Sequence, residues 1–549
     1  MDRPPRHGRH REHMTRILIT SATVVDGTEG PARTADVLVE DARIRAILPV
    51  GQHAPTPGTR VIDATGLVLA PGFIDMHAHS DLEILLDPTH PSRITQGITT
   101  EVLGQDGLSY APVDDAVLTG VRTAIASWNT NPTDLDFSWR SVGEYLARLD
   151  QGIATNAAYL VPHGTLRAGI VGWDDTRATP GQIAHMQDVV AAAMEQGAVG
   201  LSAGLTYTPG MYADDDELVA LCLTVAAHDG YFAPHQRSYG AGALDGYAAM
   251  IRVARRTGCP LHLTHATMNF GPNEGRAHEL LAMVDRAVED GVDITLDSYP
   301  YSVGATSLAA ILPSWSTAGG TGATLARLGD SDALERIRHD LEVTGSDGCH
   351  GVPVDWDTIE ISGVRNPDLD DVVGRRITDI AADQRTSPFD AFVAVLRDDD
   401  LATGILQHVG HEENVRAIMQ HPRHMAGSDG LLAGAKPHPR AWGTFARYLG
   451  HYTRDLGLMS LEECVGHLTG RAARRLRLRD RGLVRNGYAA DLVLFDPRTV
   501  ADAASYADPR RPATGIEYVL VAGEVALDRG RLTGALAGRA LRRRPIGTS

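Results

Sequence analysis

Apolar and polar positions alternate in short runs at both ends of the chain and in longer cycles between them. Over residues 16–71 the runs ILITSATVV, ADVLVEDARIRAIL and RVIDATGLVLAP are separated by turn residues. A period near two is that of a half-buried strand, so this stretch predicts several strands of a small sheet. GLVRNGYAADLVLFD and IEYVLVAGEVALDRGRL, near the other end, read the same way, with NGYAAD and AGEVAL as tight connections. The two ends are expected to combine in one β-sandwich, with residues 14–71 supplying one part and 481–540 the other.

Between them, eight apolar runs read as strands: GFIDMHAH, TTEVLG, NAAYLVPHG, AVGLSAGL, YFAPHQ, LHLTHA, DITLDSYP and RHMAGSD. Helical stretches such as QIAHMQDVVAAAMEQG, DDELVALCLTVAAHDG and AHELLAMVDRAVEDG separate several of them, and these end in glycine as helices commonly do. Strand–helix repetition at this spacing predicts a parallel α/β fold, and eight units predict closure. The interval before the eighth strand is too long for one crossover. The fold class expected is therefore α/β: a (β/α)8 TIM-like barrel over 72–480, an inserted α/β lobe at about 313–400, and the small β-sandwich formed by both chain ends. TAGGTGATLARLGD, inside the insertion, is glycine-rich but lacks the Lys-Ser/Thr of a phosphate loop.

Metal-type side chains recur where these strands end. They are His77 and His79 in FIDMHAH, Asp106 in EVLGQDG, His235 in YFAPHQRS, His265 in LHLTHA and Asp429 in HMAGSDG. A separation of two places His77 and His79 on one side of a strand. A single HxH pair, a lone strand-end histidine or an SDG turn is weak by itself. Six such groups at the carboxyl ends of barrel strands, where such barrels place their chemistry, point to one metal-dependent hydrolase centre. Asp429, the sixth member, is the natural general base. His262 lies an odd number of residues before His265 and is expected to face away. His163, in VPHGTLR, is left open between a supporting or substrate contact and plain packing.

The 549 residues exceed one compact core, and the composition is ordinary, 43% apolar and 22% charged. A formal net charge of −18 argues against phosphate-backbone and anionic-membrane partners. Cys222, Cys259, Cys349 and Cys464 are scattered, which fits a reducing cytoplasm better than a disulfide framework. No run reaches the length of a membrane helix. The start, MDRPPRHGRHREHM, has no apolar stretch of a signal peptide. Residues 1–13, with His7, His10 and His13, are expected to be a disordered tail, with Met14 as the natural start. Lys436 is the only lysine in the chain.

PGFIDMHAHSD, GITTEVLGQDGLSYAP, GLSAGLTY, HQRS, LTHA, DSYPY, SDG and HPRAWGTFARYLGHY follow one another in an order that resembles the amidohydrolase superfamily, and within it the N-acyl-D-amino-acid deacylases (D-aminoacylases). The resemblance covers almost the whole chain. It implies one or two Zn2+ ions, with Mn2+, Co2+ or Fe2+ as alternatives, and a substrate carboxylate held by Arg440 and Tyr299. Arg237 is a further candidate for touching substrate. Many superfamily members bridge two metals with a carbamylated lysine on strand four; AVGLSAGL has none, which fits the deacylase branch. That branch usually supplies a strand-two cysteine as the bridge, and here Asp106 stands in its place. A carboxylate is a harder ligand than a thiolate and loosens the preference for zinc. The lysine usual after the strand-six histidine is replaced by Thr267, and a serine downstream of the YPY run by Ala305.

The function implied is metal-dependent hydrolysis of the amide of N-acyl-D-amino acids or related N-acyl compounds to a carboxylate and an amine. Thr267 and Ala305 keep a second enzyme reading open, in which the same centre acts on a cyclic amide, a peptide or a modified amide. A non-catalytic scaffold homologue is the third reading. Partners expected are a small N-acyl amino acid or amide substrate, with assembly of this chain into a homo-oligomer as a further option.

Overall fold

The computed structural model describes residues 16–543; the expected tail at 1–13 and Met14 lie outside them. Eight parallel strands form the central sheet. We label them β1 (Phe73–Asp75), β2 (Ile98–Leu103), β3 (Asn156–Pro162), β4 (Gly200–Gly204), β5 (Tyr231–His235), β6 (Leu261–Leu263), β7 (Ile294–Ser298) and β8 (His424–Ala426). They neighbour one another in sequence order. The ring closes beyond β1, where Ala78 bridges Gly430, the Met76 amide donates to the Ala426 carbonyl at 3.2 Å and the Asp429 amide to the His77 carbonyl at 2.8 Å. Each strand falls on one of the eight runs read from the sequence.

The strand period sorts the side chains. On β3, Ala158 and Leu160 join Met76, Val102, Ala233 and Met425 in one cluster, while Ala157, Tyr159 and Val161 belong to the cluster that includes helix residues such as Met186, Leu221 and Val284. The surrounding helices include Pro180–Glu195, Asp215–Ala227 and Ala277–Glu289. Thr179 caps the first through the Gln182 amide and Asp214 the second through the Glu217 amide. Gly197 and Gly291, just past the ends of the first and third, take positive φ, +116° and +89°, which lets the chain turn back toward the next strand.

Both chain ends meet in one nine-stranded sheet, most of whose pairs are antiparallel. Val68–Pro71 joins them: it runs parallel to Arg16–Val24 and antiparallel to Leu492–Phe495. Alternation again divides the faces. Leu492 and Leu494 pack with Ile17, Val37 and Leu520, whereas Val493 and Phe495 pack with Phe73 and Phe445 against the barrel. The expected sandwich is thus a single hydrogen-bonded sheet whose strands from both ends share one apolar cluster.

Between β7 and β8 the chain builds a lobe with its own core, including Leu308, Ile337, Ile359, Phe392 and Ile405. Its sheet has Gly404–Gln407 at the centre, antiparallel to both Gly304–Ser307 and Ile359–Gly363. The lobe sheet therefore uses residues on both flanks of the 313–400 interval. Among the described residues no helix is long and apolar enough to cross a membrane.

Candidate active site

The six strand-end groups converge in two clusters that share Asp106: His77, His79, Asp106 and Asp429 in one, and Asp106, His235 and His265 in the other. All are buried. The two nearest ring nitrogens of His77 and His79 lie 3.2 Å apart, and His79 Nε2 lies 3.2 Å from Asp429 Oδ1. Asp106 Oδ1 lies 3.5 Å from His77 Nε2 and 3.4 Å from His265 Nε2; its Oδ2 lies 3.5 Å from His79 and 3.6 Å from His235. Strand β1 ends before the HxH pair, but the alternation continues through 76–79, where Ala78 donates to the Val102 carbonyl of β2. That keeps both imidazoles on the inner side.

Asp106, His265 and Asp429 all adopt positive φ, 53°, 30° and 47°. For a residue with a side chain this is a costly backbone state that persists where the surroundings enforce it. Gly204 of β4 shows one such constraint, because a Cβ there would meet the Asp106 carbonyl oxygen at 2.1 Å. The bend after each strand turns the side chain over the end of the barrel.

Burial works against charge here, yet charge wins at the carboxylates. It disfavours ionisation of Asp106, but His77 and His265 hold that carboxyl well below its ordinary range. Burial likewise opposes Asp429, and the Arg440 guanidinium and His77 hold it low. His77 is pulled well above the usual imidazole value against burial, through Asp106 and Asp429. Asp106 Oδ1 is buried without a hydrogen-bond donor. Imidazoles facing one another around a donorless carboxylate oxygen form a donor set that fits a divalent cation of the zinc type, with Asp106 the one group able to serve both clusters.

Sequence reasoning passed over Asp297, at the end of β7. Its Oδ1 accepts from the His265 amide at 2.7 Å, its Oδ2 contacts His262 Nε2 at 2.8 Å and faces His77 Nδ1 at 3.8 Å. The odd spacing predicts that His262 faces away, but β6 ends at Leu263 and His265 follows at positive φ, so alternation does not carry to it; His262 points into the barrel between the outward Leu261 and Leu263 and grips this carboxylate from below the cluster. The missed signal was present: Asp297 is a strand-end carboxylate in DSYPY, like the groups that were singled out.

Arg440 has no exposed surface. Its Nη2 lies 2.9 Å from Asp429 Oδ2, its guanidinium stacks 4.4 Å from the Tyr299 ring centroid, and among the described residues its Nε and Nη1 have no hydrogen-bond partner. Asp429, Tyr299 and Ala305 line the cavity above the clusters, together with Trp128, Tyr207, Thr267, Phe270 and His350. Burial pushes the His350 imidazole down to about 3, so this lobe residue meets the cavity as a neutral ring.

Two expectations change. Arg237 does not line the cavity; its guanidinium is held by the Ala213 carbonyl at 2.8 Å and Asp215 at 3.3 Å, which draws it toward the helix starting at Asp215. His163 does not line the cavity either; it pairs with Glu217 at 2.7 Å beside Arg167, in a buried polar group.

A model described as the amidohydrolase family matches residues 60–527. The chain belongs to the amidohydrolase family. This amidohydrolase is 34% identical to the D-aminoacylase of Alcaligenes xylosoxydans xylosoxydans over 96% of its own length and 97% of that protein. The crystal structure of N-acyl-D-glutamate deacylase from Bordetella bronchiseptica, complexed with zinc and a phosphonate mimic of the tetrahedral intermediate, resembles it with a TM-score of 0.82 at 34% identity, covering 96% of this chain and 99% of that one. A D-aminoacylase structure concerned with a binuclear metal centre, its one-metal activation and second-metal attenuation, gives a TM-score of 0.79 at 33% identity over the same shares.

Proposed function

We propose that this amidohydrolase hydrolyses the amide of N-acyl-D-amino acids, using one or two zinc-type ions held by His77, His79, Asp106, His235, His265 and Asp429. The observation that supports the substrate class is the buried Arg440, which lies just behind the cavity wall rather than in it: it touches Asp429 and Tyr299, which do line the cavity, and among the described residues its Nε and Nη1 have no acceptor. An unpaired guanidinium edge out of water is costly, and a carboxylate matches its fork. Tyr299 lies against that guanidinium and supports the same grip. D preference follows from the relatives that act on D compounds.

A bound ion of this type brings the pKa of water toward about 7 and polarises a carbonyl. The protein's own groups do the rest. Arg440 fixes the carboxylate end, which holds the amide over the clusters and removes much of the orientational freedom of the encounter. Asp429 is the proton carrier: Oδ1 faces the imidazole cluster, while Oδ2 is tied to Arg440. It takes a proton from the attacking water and passes it to the leaving nitrogen. The lobe closes the cavity from above with Ala310, Ile311 and His350 and limits bulk water.

The four cysteines are buried and free, which supports a cytoplasmic setting, and the acidic net charge supports the absence of nucleic-acid partners. Thr267 and Ala305 do line the cavity, and they support the second reading, a cyclic, peptide or modified amide at the same centre. A panel of N-acyl-D- and N-acyl-L-amino acids, with cyclic amides as the other arm, run on zinc-replete protein of measured metal content, separates the two. Clear turnover of the D set supports the deacylase; turnover of the cyclic set alone overturns it.

A further inference from the structure

A second cavity adjoins the site on the side of the loops that follow β2, β3 and β4, beneath the lobe. Leu108, Trp128, Trp173, Met211, Leu312 and Leu401 form its apolar wall, and none of the residues lining it carries a charge. Trp128, Thr206, Tyr207 and Ala310 border this cavity and the site alike. The Trp128 ring lies 5.3 Å from that of His79, and the Tyr207 ring 4.7 Å from that of His235. The two rings meet edge-on at 4.8 Å and form the neck between the spaces.

An N-acyl amino acid carries its free carboxylate and its acyl chain on opposite sides of the scissile amide. Tyr299 and Arg440 follow β7 and β8. The strand order sets β3 across the barrel from β7, so the second cavity lies on the far side of the clusters from the carboxylate grip. A chain leaving the carbonyl carbon away from Arg440 runs toward the neck, whereas the amino-acid side chain branches from the carbon that bears the carboxylate. We infer that the second cavity receives the acyl chain, and that the preferred substrates are D-amino acids carrying an uncharged fatty acyl group well beyond acetyl in length. This rests on the deacylase reading and names its substrate class. Hydrolysis adds the water oxygen to the carbonyl carbon, breaks the C–N bond and returns the proton to nitrogen, releasing a fatty carboxylate and the free amino acid. A succinyl or glutaryl group would bring a carboxylate into a wall with no countercharge.

The test is a chain-length series on one D-amino acid, from N-acetyl to N-octanoyl, with N-acetyl-D-2-aminodecanoate as a control that places the alkyl chain on the other branch. Each buried methylene is worth up to about fourfold, so two of them already predict about tenfold in kcat/KM. The octanoyl compound is expected to exceed the acetyl one by at least about tenfold, and octanoate should inhibit at least that much more tightly than acetate. Thr321→Trp, from the lobe helix Gly320–Arg327 that lines the cavity, should erase the gain while leaving acetyl turnover unchanged. Equal rates along the series, a gain that follows the long side chain instead, or a Thr321→Trp protein that slows both substrates alike would overturn the inference. If that variant does not fold, the wild-type series decides alone. A protein that hydrolyses only the acetyl compound defeats this inference and leaves the deacylase reading standing; one that hydrolyses no acylated amino acid of either hand defeats the deacylase reading itself.

Discussion

Asp297→Asn isolates a single charge beneath the site. The carboxylate is fully buried and uses the space that Gly427 leaves by lacking a side chain, since a Cβ there would meet its Oδ1 at 2.8 Å. Its Oδ1 is committed to the His265 amide, so an asparagine that keeps this bond must turn its NH2 toward His262 and His77. His262 can adapt, because its Nδ1 has Thr295 Oγ1 at 2.8 Å as a partner in either tautomer. His77 cannot adapt without cost. A donor facing Nδ1 favours the tautomer that protonates Nε2, the nitrogen that faces His79 and Asp106. At 3.8 Å the Asp297 carboxylate acts on His77 Nδ1 through its charge rather than through a hydrogen bond, and outer partners of ligating histidines typically govern metal affinity by about 10–100-fold. The assay is calorimetric titration of metal-stripped protein with zinc, alongside the thermal midpoint of the stripped protein. A tenfold or greater loss of affinity is expected, larger than the fall in stripped-protein stability accounts for. Unchanged zinc affinity together with a lowered midpoint would refute the tautomer argument and leave Asp297 as packing alone.

Three further outcomes follow from the same geometry. Asp429→Asn should keep the fold and lose about 10²–10⁴-fold in kcat; single-turnover kinetics at saturating substrate measure this, and near-normal turnover would remove the proton-carrier role. Arg440→Ala should raise KM for N-acyl-D-amino acids by far more than for their carboxamides, read from paired steady-state curves, and a parallel change in both would place the carboxylate elsewhere. Glu101, buried beside His90, Arg93, Ser80 and Thr155, is held at about 2 against an ordinary 4.5, with burial opposing and His90 the strongest attraction. A lowered folded-state value contributes stability that is complete above 4.5 and is lost as pH falls toward about 2, on the order of 3 kcal/mol. Denaturant titrations across that window should show the loss in wild type and a flatter profile in Glu101→Gln; identical slopes would count against the linkage.

The barrel was legible because its strands alternate and its helices do not. Apolar runs such as LHL and HMA are only three residues long in the structure, yet each is flanked by a helix on one side and a polar strand end on the other. The convergence of His77, His79, Asp106, His235, His265 and Asp429 could be anticipated from the same rule, since strand ends of a closed barrel face one space. What the rule does not carry is the contribution of loops. Trp128 and His350 reach the cavity from segments with no periodicity, and nothing local marks them. Arg237 shows the opposite failure: it follows β5 by two residues, but Asp215 on a neighbouring helix captures its charge. The chain-end sheet was legible by alternation, and Val68–Pro71 falls within the run RVIDATGLVLAP read as strand; its place between the strands of the two ends was not legible, because it is buried along its whole length and has no polar face to read.

That joining strand has a consequence for how the molecule is made. Val68–Pro71 leads straight into β1, and its partner Leu492–Phe495 is synthesised roughly 420 residues later. At roughly 5–20 residues per second, a ribosome leaves one edge of it bare for tens of seconds, with Leu69 and Ala70 uncovered. An open apolar edge invites pairing with other nascent chains. The platform under β1 is therefore finished only when a strand roughly 420 residues further along the chain arrives, and until then that apolar edge needs another cover.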